Sequence, residues 1–223
     1  MRRERLDWDE GRPLGRHVEH DPRSKEYPFL AKAGERKAVL HKRHAKILDQ
    51  GRIGSCTGNA LEGALASQPL HKRYERHTEQ RAVALYSLAT SLDGFEGDYP
   101  PEDTGSSGLA VCKAAVQLKR LTGYRWAFGL EQALDALQEG PLITGVAWYQ
   151  GFDRPDGRGK VTLSGGQRGG HEFLVRGYDP ERSELFCDNS WGEAWGLKGS
   201  FRMTTSDWGT LLEQRGDVTV PLR

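Results

Sequence analysis

Three side chains that lie far apart along the chain could together carry out chemistry on an acyl group. The first, Cys56, stands in "GRIGSCTGNALEGAL", where Ser55 and Thr57 flank it at the predicted start of a helix. A helix N-terminus lowers the pKa of a thiol and so favours the nucleophilic thiolate. Taken by itself, however, a single cysteine in this position is more typical of a buried core thiol than of a nucleophile.

A histidine and an asparagine further along the chain could complete such a site. His171 follows a run of glycines in "GGQRGGHEFLVRGYD", and glycine-rich backbone before a strand leaves a side chain little covered. Asn189 begins "NSWGEAWGLKGSFRM", in which a strand-turn-strand would expose one of two tryptophans. An asparagine oxygen can accept a hydrogen bond from an imidazole and thereby orient it. In the alternative interpretation, His171 is an ordinary surface or core residue, Asn189 is a turn residue, and Trp191 and Trp195 are core anchors.

The composition of the 223-residue chain is that of an ordinary globular protein, with 36% hydrophobic and 28% charged residues. No apolar run approaches the roughly 18 residues of a membrane span, and the charged "MRRERLDWDEGR" is not expected to be a secretory signal. The three cysteines are widely spaced without a CxxC pattern, which excludes a zinc ribbon and argues against a disulfide framework. We therefore expect a cytoplasmic or otherwise intracellular protein, with association with a virion kept open.

Positive charge is concentrated in the N-terminal part of the chain. Residues 1–49 carry 13 Lys and Arg against 9 Asp and Glu, whereas the whole chain has a net charge of +1. Such a basic arm could tether the protein to nucleic acid or to an acidic partner. A solvated extension that packs back on the body is the simpler interpretation, since the basic residues lack the interleaved aromatics of a single-strand-binding surface. We expect no nucleic-acid and no membrane partner, with tethering through the arm kept open.

Helical periodicity dominates the first part of the chain, and strand-like runs dominate the second. The predicted helices are "CTGNALEGALASQ", "TEQRAVALYSLATSLDG", "SGLAVCKAAVQLKRLTG" and "LEQALDALQEG". Short apolar runs then predict strands at "PLITGVAW", "HEFLVRGYD", "ELFCDNSW", "GSFRMT" and "VTVPL". This segregation predicts an α+β fold, with a basic irregular N-terminal arm over residues 1–37 and one domain over residues 38–223. Within that domain, residues 38–130 should be mainly helical and residues 131–223 mainly β.

Together these segments resemble the papain family of cysteine peptidases, in a compact form of microbial or phage type. "DQGRIGSCTGNA" resembles the family's active-site segment, "GGHEFLVRGYD" its histidine segment and "NSWGEAWGLKGSFRM" its asparagine segment. "DTGSSGLAVCKAAVQLK" is similar to the loop and helix that border the family's substrate groove. The resemblance covers roughly residues 45–205, and its asparagine segment is the most specific part. It implies a papain-like fold of two subdomains, with the active-site cleft between the helical and the β-rich half.

The resemblance also implies a role for each matching residue. Cys56 would be the nucleophile, held as a thiolate–imidazolium pair with His171, which Asn189 would orient. Gln50 and the backbone N–H of Cys56 would form the oxyanion hole. Trp191 would shield the histidine–asparagine hydrogen bond from water, and the residues expected to bind substrate are Gly105, Ser106, Ser107, Gly170 and Trp191. The implied reaction is hydrolysis of peptide bonds in an extended polypeptide, with no metal and no cofactor.

The sequence departs from the family pattern at several positions. Thr57 replaces the aromatic residue that follows the nucleophile, and Ile53 replaces a cysteine, so the family's disulfide cannot form there. Glu172 replaces the small apolar residue after the histidine. We expect its side chain to point to solvent, although contact with substrate or an effect on the pKa of His171 stays open. Only 49 residues precede Gln50, so we expect no long inhibitory propeptide of the kind found in lysosomal members.

Two other interpretations stay open at this stage. The same residues could catalyse acyl transfer to an amine or cleave other amide bonds, such as those of peptidoglycan. The chain could also be an inactive scaffold or a structural component of a larger assembly such as a phage particle, with the basic arm as its tether. All four expected catalytic positions are filled, which argues against inactivity.

Overall fold

The computed structural model describes residues 12–30 and 34–223. Part of the predicted N-terminal arm, residues 1–11 and 31–33, lies outside the described residues. The described part of the arm contains a short 3-10 helix, Pro22–Glu26, and buries Leu14 and Phe29 against the larger of two hydrophobic cores. Within the described ranges, no helix is both long and apolar enough to cross a membrane.

Five α-helices lie within the described residues. They are α1 (Cys56–Leu65), α2 (Glu79–Leu92), α3 (Gly108–Gln117), α4 (Gly129–Leu137) and α5 (Thr205–Glu213), and a 3-10 turn covers Gln150–Phe152. Side-chain caps account for two of the helix starts. The Ser107 hydroxyl oxygen accepts a hydrogen bond of 3.0 Å from the Ala110 N–H at the start of α3. Thr204 caps α5 in the same way, through the Asp207 N–H at 3.0 Å.

Seven strands form one antiparallel sheet in the same part of the chain. They are β1 (Val39–Leu40), β2 (Gly123–Trp126), β3 (Leu142–Tyr149), β4 (Gln167–Asp179), β5 (Glu184–Asp188), β6 (Ser200–Thr204) and β7 (Asp217–Leu222). The strand order is β2-β7-β3-β4-β5-β6, and β1 pairs with β4. The predicted α+β class is confirmed, although β1, β2 and α5 depart from a strict order of helices first and strands second.

The central strands of the sheet separate two hydrophobic cores. Successive residues of a strand point to opposite faces. Leu142 and Phe173 therefore pack into the larger core, while their neighbours Ile143 and Leu174 pack against α1 and α3. Because β3 and β4 are covered on both faces, a charged side chain on either strand is withdrawn from water.

The third predicted helix is shorter than its sequence pattern. Val111 and Ala115 are buried, but Leu118, which the same helical stripe predicts to be buried, is 46% exposed. The helix ends at Gln117, and Lys119 adopts a left-handed φ of 56° that turns the chain away. The residues that the pattern places in the last helical turn lead instead into β2.

Glu62 is a buried carboxylate that joins α1 to the segment after α3. It contacts His77 Nδ1 at 2.8 Å and Arg120 Nη1 at 2.5 Å. Burial raises the pKa of Glu62, but the hydrogen bonds from His77 and Arg120 outweigh burial and hold that pKa below its usual value of 4.5.

We expect acid to weaken the fold through this carboxylate. A carboxyl group whose pKa is lowered by folding stabilises the folded state above its unfolded pKa and loses that contribution as pH falls through its folded pKa. The free energy of unfolding, measured with urea, should therefore decline below about pH 4.5. Glu62→Gln should lower it at neutral pH by about 3 kcal/mol, because a buried ion pair is broken, and should show a shallower acid decline. An equally steep acid decline in both proteins would contradict this account.

Candidate active site

Cys56 begins α1 and is completely buried. The first turn of the helix is fixed by Ser55, whose hydroxyl donates to the Asn59 side-chain oxygen at 2.9 Å. The backbone of Glu172, the residue directly after His171 on β4, lies close enough to the Cys56 sulfur to lower the pKa of the thiol. The thiol at the helix N-terminus therefore lies near the strand that carries His171.

His171 is held by the amide of Asn189. The ring Nε2 lies 2.7 Å from Asn189 Oδ1, and the same oxygen accepts a hydrogen bond of 2.8 Å from the Ser190 N–H. An amide oxygen only accepts, so the hydrogen on the ring belongs to Nε2 when the imidazole is neutral. Nδ1 has no hydrogen-bond partner among the described residues and keeps its lone pair for a proton.

Two tryptophans enclose this pair. The ring centroid of Trp191 lies 5.0 Å from that of His171, and the Trp148 ring meets the imidazole edge-on at 4.7 Å. Trp191 is 2% exposed and Trp195 6% exposed, so the expectation that the turn exposes one tryptophan is wrong. Both rings pack into the larger core around Trp148, edge-on for Trp191 and tilted for Trp195. This packing keeps water away from the histidine–asparagine hydrogen bond.

Gln50 is locked beside the same turn. Its Oε1 accepts a hydrogen bond of 2.6 Å from the Ser190 hydroxyl, and its backbone N–H donates to the Ser190 carbonyl at 2.8 Å. These contacts fix which end of the amide faces the cleft. The Nε2 group donates to the Ile53 carbonyl at 2.8 Å and to the Pro13 carbonyl at 3.3 Å. A backbone carbonyl of the N-terminal arm thus accepts from the amide group that the resemblance assigns to the oxyanion hole.

The loop at residues 105–107 forms the opposite wall. Gly105 has a φ of +76°, which favours glycine, and its N–H donates to the Tyr86 hydroxyl at 2.9 Å. The Ser106 hydroxyl donates to Asp93 at 2.7 Å, so the loop is anchored to the middle and to the C-terminal end of α2 and presents its backbone to the cleft. The Ser107 side chain has a different role, since it caps α3 and contacts Glu19.

Residues 12–17, here called the cleft segment, run between this loop and β4. Three backbone hydrogen bonds hold them: Ser106 N–H to Gly15 O at 2.8 Å, His17 N–H to Ser106 O at 2.7 Å and Arg16 N–H to Gly170 O at 3.0 Å. The Arg16–Ser106 pairing is parallel. At one end, Arg12 lies over the Trp191 ring at 5.7 Å. The segment therefore lies against Gln50 and Cys56 and contacts two of the residues expected to bind substrate, Ser106 and Gly170.

At two positions along the cleft segment, the backbone of another residue approaches so closely that only glycine fits. A Cβ at Gly15 would overlap the carbonyl oxygen of Gly54, which is backbone and cannot rotate away. A Cβ at Gly170 would likewise overlap the Arg16 carbonyl oxygen. The segment fits because neither position carries a side chain.

Burial in the covered site favours the neutral forms of Cys56 and His171. Burial raises the pKa of the Cys56 thiol to about 12, against the weaker effect of hydrogen bonds with the backbone of Glu172 and Gly15. Burial lowers the pKa of His171 to about 4, although the hydrogen bond to Asn189 acts in the other direction. With the cleft segment in place, a thiol and a neutral imidazole are favoured over the charged pair.

Glu172 does not point to solvent, and that expectation is wrong. Its side chain is completely buried, because β4 is covered on both faces, and it lies beside Asp217 of β7. Burial and the neighbouring Asp217 carboxylate raise the pKa of Glu172, while the Arg16 guanidinium acts in the opposite direction. Two features of the site are not predicted by the sequence: the cleft segment and the Glu172–Asp217 pair.

All three cysteines are free and buried, as expected from their spacing. In residues 12–30 and 34–223, no group of three or more His, Cys, Asp or Glu side chains is arranged to hold a metal ion.

Comparison with known proteins places the fold. No family model matches the chain. It is 23% identical over 221 residues to an uncharacterized peptidase C1-like protein of Acanthamoeba polyphaga mimivirus, covering 75% of this chain and 67% of the relative. It superposes on xylellain, a cysteine protease from Xylella fastidiosa, with a TM-score of 0.77 and 18% identity over 100% of this chain and 98% of the other. The chain has the papain-like fold.

Two further papain-like structures agree. Digestive procathepsin L 3 of Tenebrio molitor superposes with a TM-score of 0.63 and 17% identity over 96% of this chain and 76% of the other. Bromelain from Ananas comosus, solved with a bound inhibitor, superposes with a TM-score of 0.56 and 16% identity over 81% of this chain and 94% of the other. The predicted resemblance and the papain-like fold are confirmed, and the predicted class of enzyme, a cysteine-type peptidase, agrees with the names of these proteins.

Proposed function

We propose that this papain-like protein hydrolyses peptide bonds with Cys56 as nucleophile, His171 as proton carrier and Asn189 as the residue that orients His171. The observation that carries the proposal is the 2.7 Å hydrogen bond between His171 Nε2 and Asn189 Oδ1. It fixes the hydrogen on Nε2 and leaves Nδ1 without a partner among the described residues, on the strand whose backbone lies near the Cys56 thiol. This is the nucleophile, base and orienter arrangement of covalent acyl-transfer catalysis.

The reaction follows from these positions. The Cys56 sulfur attacks the carbonyl carbon of the scissile bond, and the negative charge moves to the carbonyl oxygen. The Gln50 Nε2 group and the Cys56 backbone N–H donate to that oxygen. The protonated His171 gives its proton to the leaving amine as the C–N bond breaks, which leaves a thioester. His171 then takes a proton from water, whose oxygen attacks the thioester and releases the carboxylate product and the thiol.

We propose that the cleft segment keeps this machinery latent. The Pro13 carbonyl occupies the Gln50 donor, and the Gly15 and Arg16 backbone occupies both walls of the cleft. A polypeptide in an extended conformation needs the same groups, so it can bind only after the segment leaves. Departure also returns water to Cys56 and His171, which removes the burial that raises the pKa of the thiol and lowers that of the imidazole. The thiolate–imidazolium pair then becomes accessible near neutral pH.

The substrate in this proposal is a polypeptide bound in an extended conformation. The intracellular location, the association with a virion and the tethering role of the arm, all expected from the sequence, stay predictions. The division into subdomains at residues 130 and 131 also stays a prediction.

The proposal predicts thiol-dependent proteolysis. The full-length protein, incubated with an unfolded protein substrate at neutral pH in a reducing buffer, should generate new amino termini that mass spectrometry can locate. A thiol-alkylating reagent should stop the reaction, whereas a metal chelator should leave it unchanged. Loss of activity with the chelator, or full activity after complete alkylation of Cys56, would contradict cysteine-dependent chemistry. If no substrate is cleaved even when the cleft segment is displaced by substitution, the scaffold interpretation is favoured instead.

A further inference from the structure

Next to the cleft lies a pocket whose walls are two buried carboxylates and two glycines. Glu172 and Asp217 stand on β4 and β7, the two strands that flank β3, and Gly145 of β3 is the register partner of each. Since Gly145 has no side chain, the space between the two carboxylates stays open. A Cβ there would overlap Arg16 Nε and approach Glu172 Oε2 at 2.5 Å. A Cβ at Gly108 would approach Glu172 Oε1 at 2.7 Å and Asp217 Oδ1 at 3.2 Å.

The side chain of Arg16 fills this pocket. Its Nη2 group forms a buried ion pair with Asp217 Oδ2 and donates to the Arg215 carbonyl at 2.9 Å. The arginine side chain is 2% exposed and the aspartate side chain 6% exposed. The pocket thus takes up a complete guanidinium, with a carboxylate and a backbone carbonyl as acceptors at its base.

The pocket keeps unused acceptors even with Arg16 bound. Three acceptor atoms lack a hydrogen-bond partner among the described residues: Glu172 Oε1, Glu172 Oε2 and Asp217 Oδ1. The Arg16 Nε hydrogen is also unpaired within the described part of the chain. If the Arg16–Asp217 ion pair only stabilised the fold, these buried groups would be expected to have partners. Each unpaired one raises the free energy of the folded state. The surplus of acceptors is what a site needs if it receives cationic side chains in more than one pose.

Arg16 reaches the pocket from a backbone that lies where a substrate would lie. Its N–H pairs with Gly170, and its neighbours pair with Ser106 on the other wall. With the cleft segment in place, Glu172 and Asp217 are 0% and 7% exposed, and Arg16 is the cation that faces them. When the segment leaves, the two neighbouring carboxyl groups lose this counter-charge, so a cation from the next occupant of the cleft replaces Arg16 favourably.

We propose that the Glu172–Asp217 pocket determines specificity, by binding an arginine or lysine side chain of the polypeptide substrate in the place that Arg16 occupies. This inference rests on the proposed peptidase function and names its substrate class. Arginine should be preferred to lysine, because one guanidinium nitrogen already reaches both the Asp217 carboxylate and the Arg215 carbonyl, and the other N–H groups stay free for the unpaired acceptors of the pocket. Glu172 is then a binding residue for substrate and takes no part in proton transfer.

The first test measures binding without catalysis. The protein is the full chain carrying Gly15→Ala, Arg16→Ala and Cys56→Ala, and the probe is the hexapeptide RPLGRH, which has the sequence of the cleft segment. A second peptide carries citrulline, an uncharged isostere, at its second arginine. Calorimetry should show at least about tenfold weaker binding of the citrulline peptide, equal to about 1.4 kcal/mol. Adding Glu172→Gln should shrink that ratio, whereas Glu184→Gln, which changes a carboxylate on β5, should not. Equal affinity for the two peptides would overturn the proposal.

The second test measures cleavage. The full chain with Gly15→Ala and Arg16→Ala is incubated with a peptide library, and the residues around each cleaved bond are identified by mass spectrometry. One position should favour Arg and Lys over Leu by about tenfold, and Glu172→Gln should reduce that preference while cleavage continues. Cleavage without any basic preference would overturn the pocket's role and leave the peptidase function intact. Selective peptide binding without any cleavage would instead refute the peptidase function, and the substrate assignment with it.

Discussion

Gly15→Ala should raise the peptidase activity of the protein by about tenfold or more. A tenfold rise corresponds to a loss of about 1.4 kcal/mol from the free energy that holds the cleft segment in the cleft. The added methyl group would overlap the carbonyl oxygen of Gly54, which belongs to the backbone just before α1. Relief of this overlap requires the cleft segment to move outward. The Gly15 carbonyl would then lose its 2.8 Å hydrogen bond from Ser106, and the Gln50 amide would be released from Pro13.

The measurement is the initial rate of hydrolysis at equal protein concentration, with the rate of Cys56 alkylation followed in parallel. Gly34→Ala is the matched control, because it makes the same change in the arm where nothing lies within 4 Å of the added Cβ. It should leave both rates at the parent value. If Gly15→Ala is as slow as the parent in both assays, the segment does not control access to the site.

Cys56→Ala and His171→Ala should each reduce hydrolysis by about a thousandfold or more. Cys56→Ala removes the atom that forms the thioester, and His171→Ala removes the group that protonates the leaving amine. The two losses should not add, since the residues act as one unit, and the double variant should be as slow as either single one. Rates are best measured in the Gly15→Ala background, where the site is open.

Cys112→Ala serves as the control for this pair of variants. It also removes a fully buried thiol, but on α3, where the sulfur contacts the Thr219 hydroxyl at 3.7 Å. Its rate should stay close to that of the parent, and circular dichroism should confirm that all variants remain folded. Substantial hydrolysis by Cys56→Ala would mean that another group is the nucleophile, and the assignment would fail.

The residues expected to react could be identified from sequence because each stands in a short, distinctive segment. Cys56 marks a helix start, and Asn189 begins the Asn-Ser-Trp-Gly segment, the most specific part of the resemblance. Local sequence also predicts most helices and strands, since their periodicity is strong. It does not predict the end of α3, which depends on a left-handed residue at Lys119 that has no glycine to announce it.

The features that sequence could not predict depend on contacts between distant parts of the chain. "RPLGRH" has neither helical nor strand periodicity, so it indicates only a basic arm. Its place in the cleft depends on the close approach of Gly15 to Gly54 and on pairing with Ser106. Glu172 was expected in solvent on the basis of its charge. It is buried because helices cover one face of β4 and aromatic residues cover the other.

The central claim is that Cys56 is the nucleophile and that the cleft segment covers it. The most direct measurement treats the wild-type protein and Gly15→Ala with a peptide-linked electrophile and locates the adduct by mass spectrometry. The account predicts a single adduct, on Cys56, that forms at neutral pH and forms faster in Gly15→Ala than in the wild type. Adducts distributed equally over Cys56, Cys112 and Cys187, or an unlabelled Cys56 in Gly15→Ala, would contradict it.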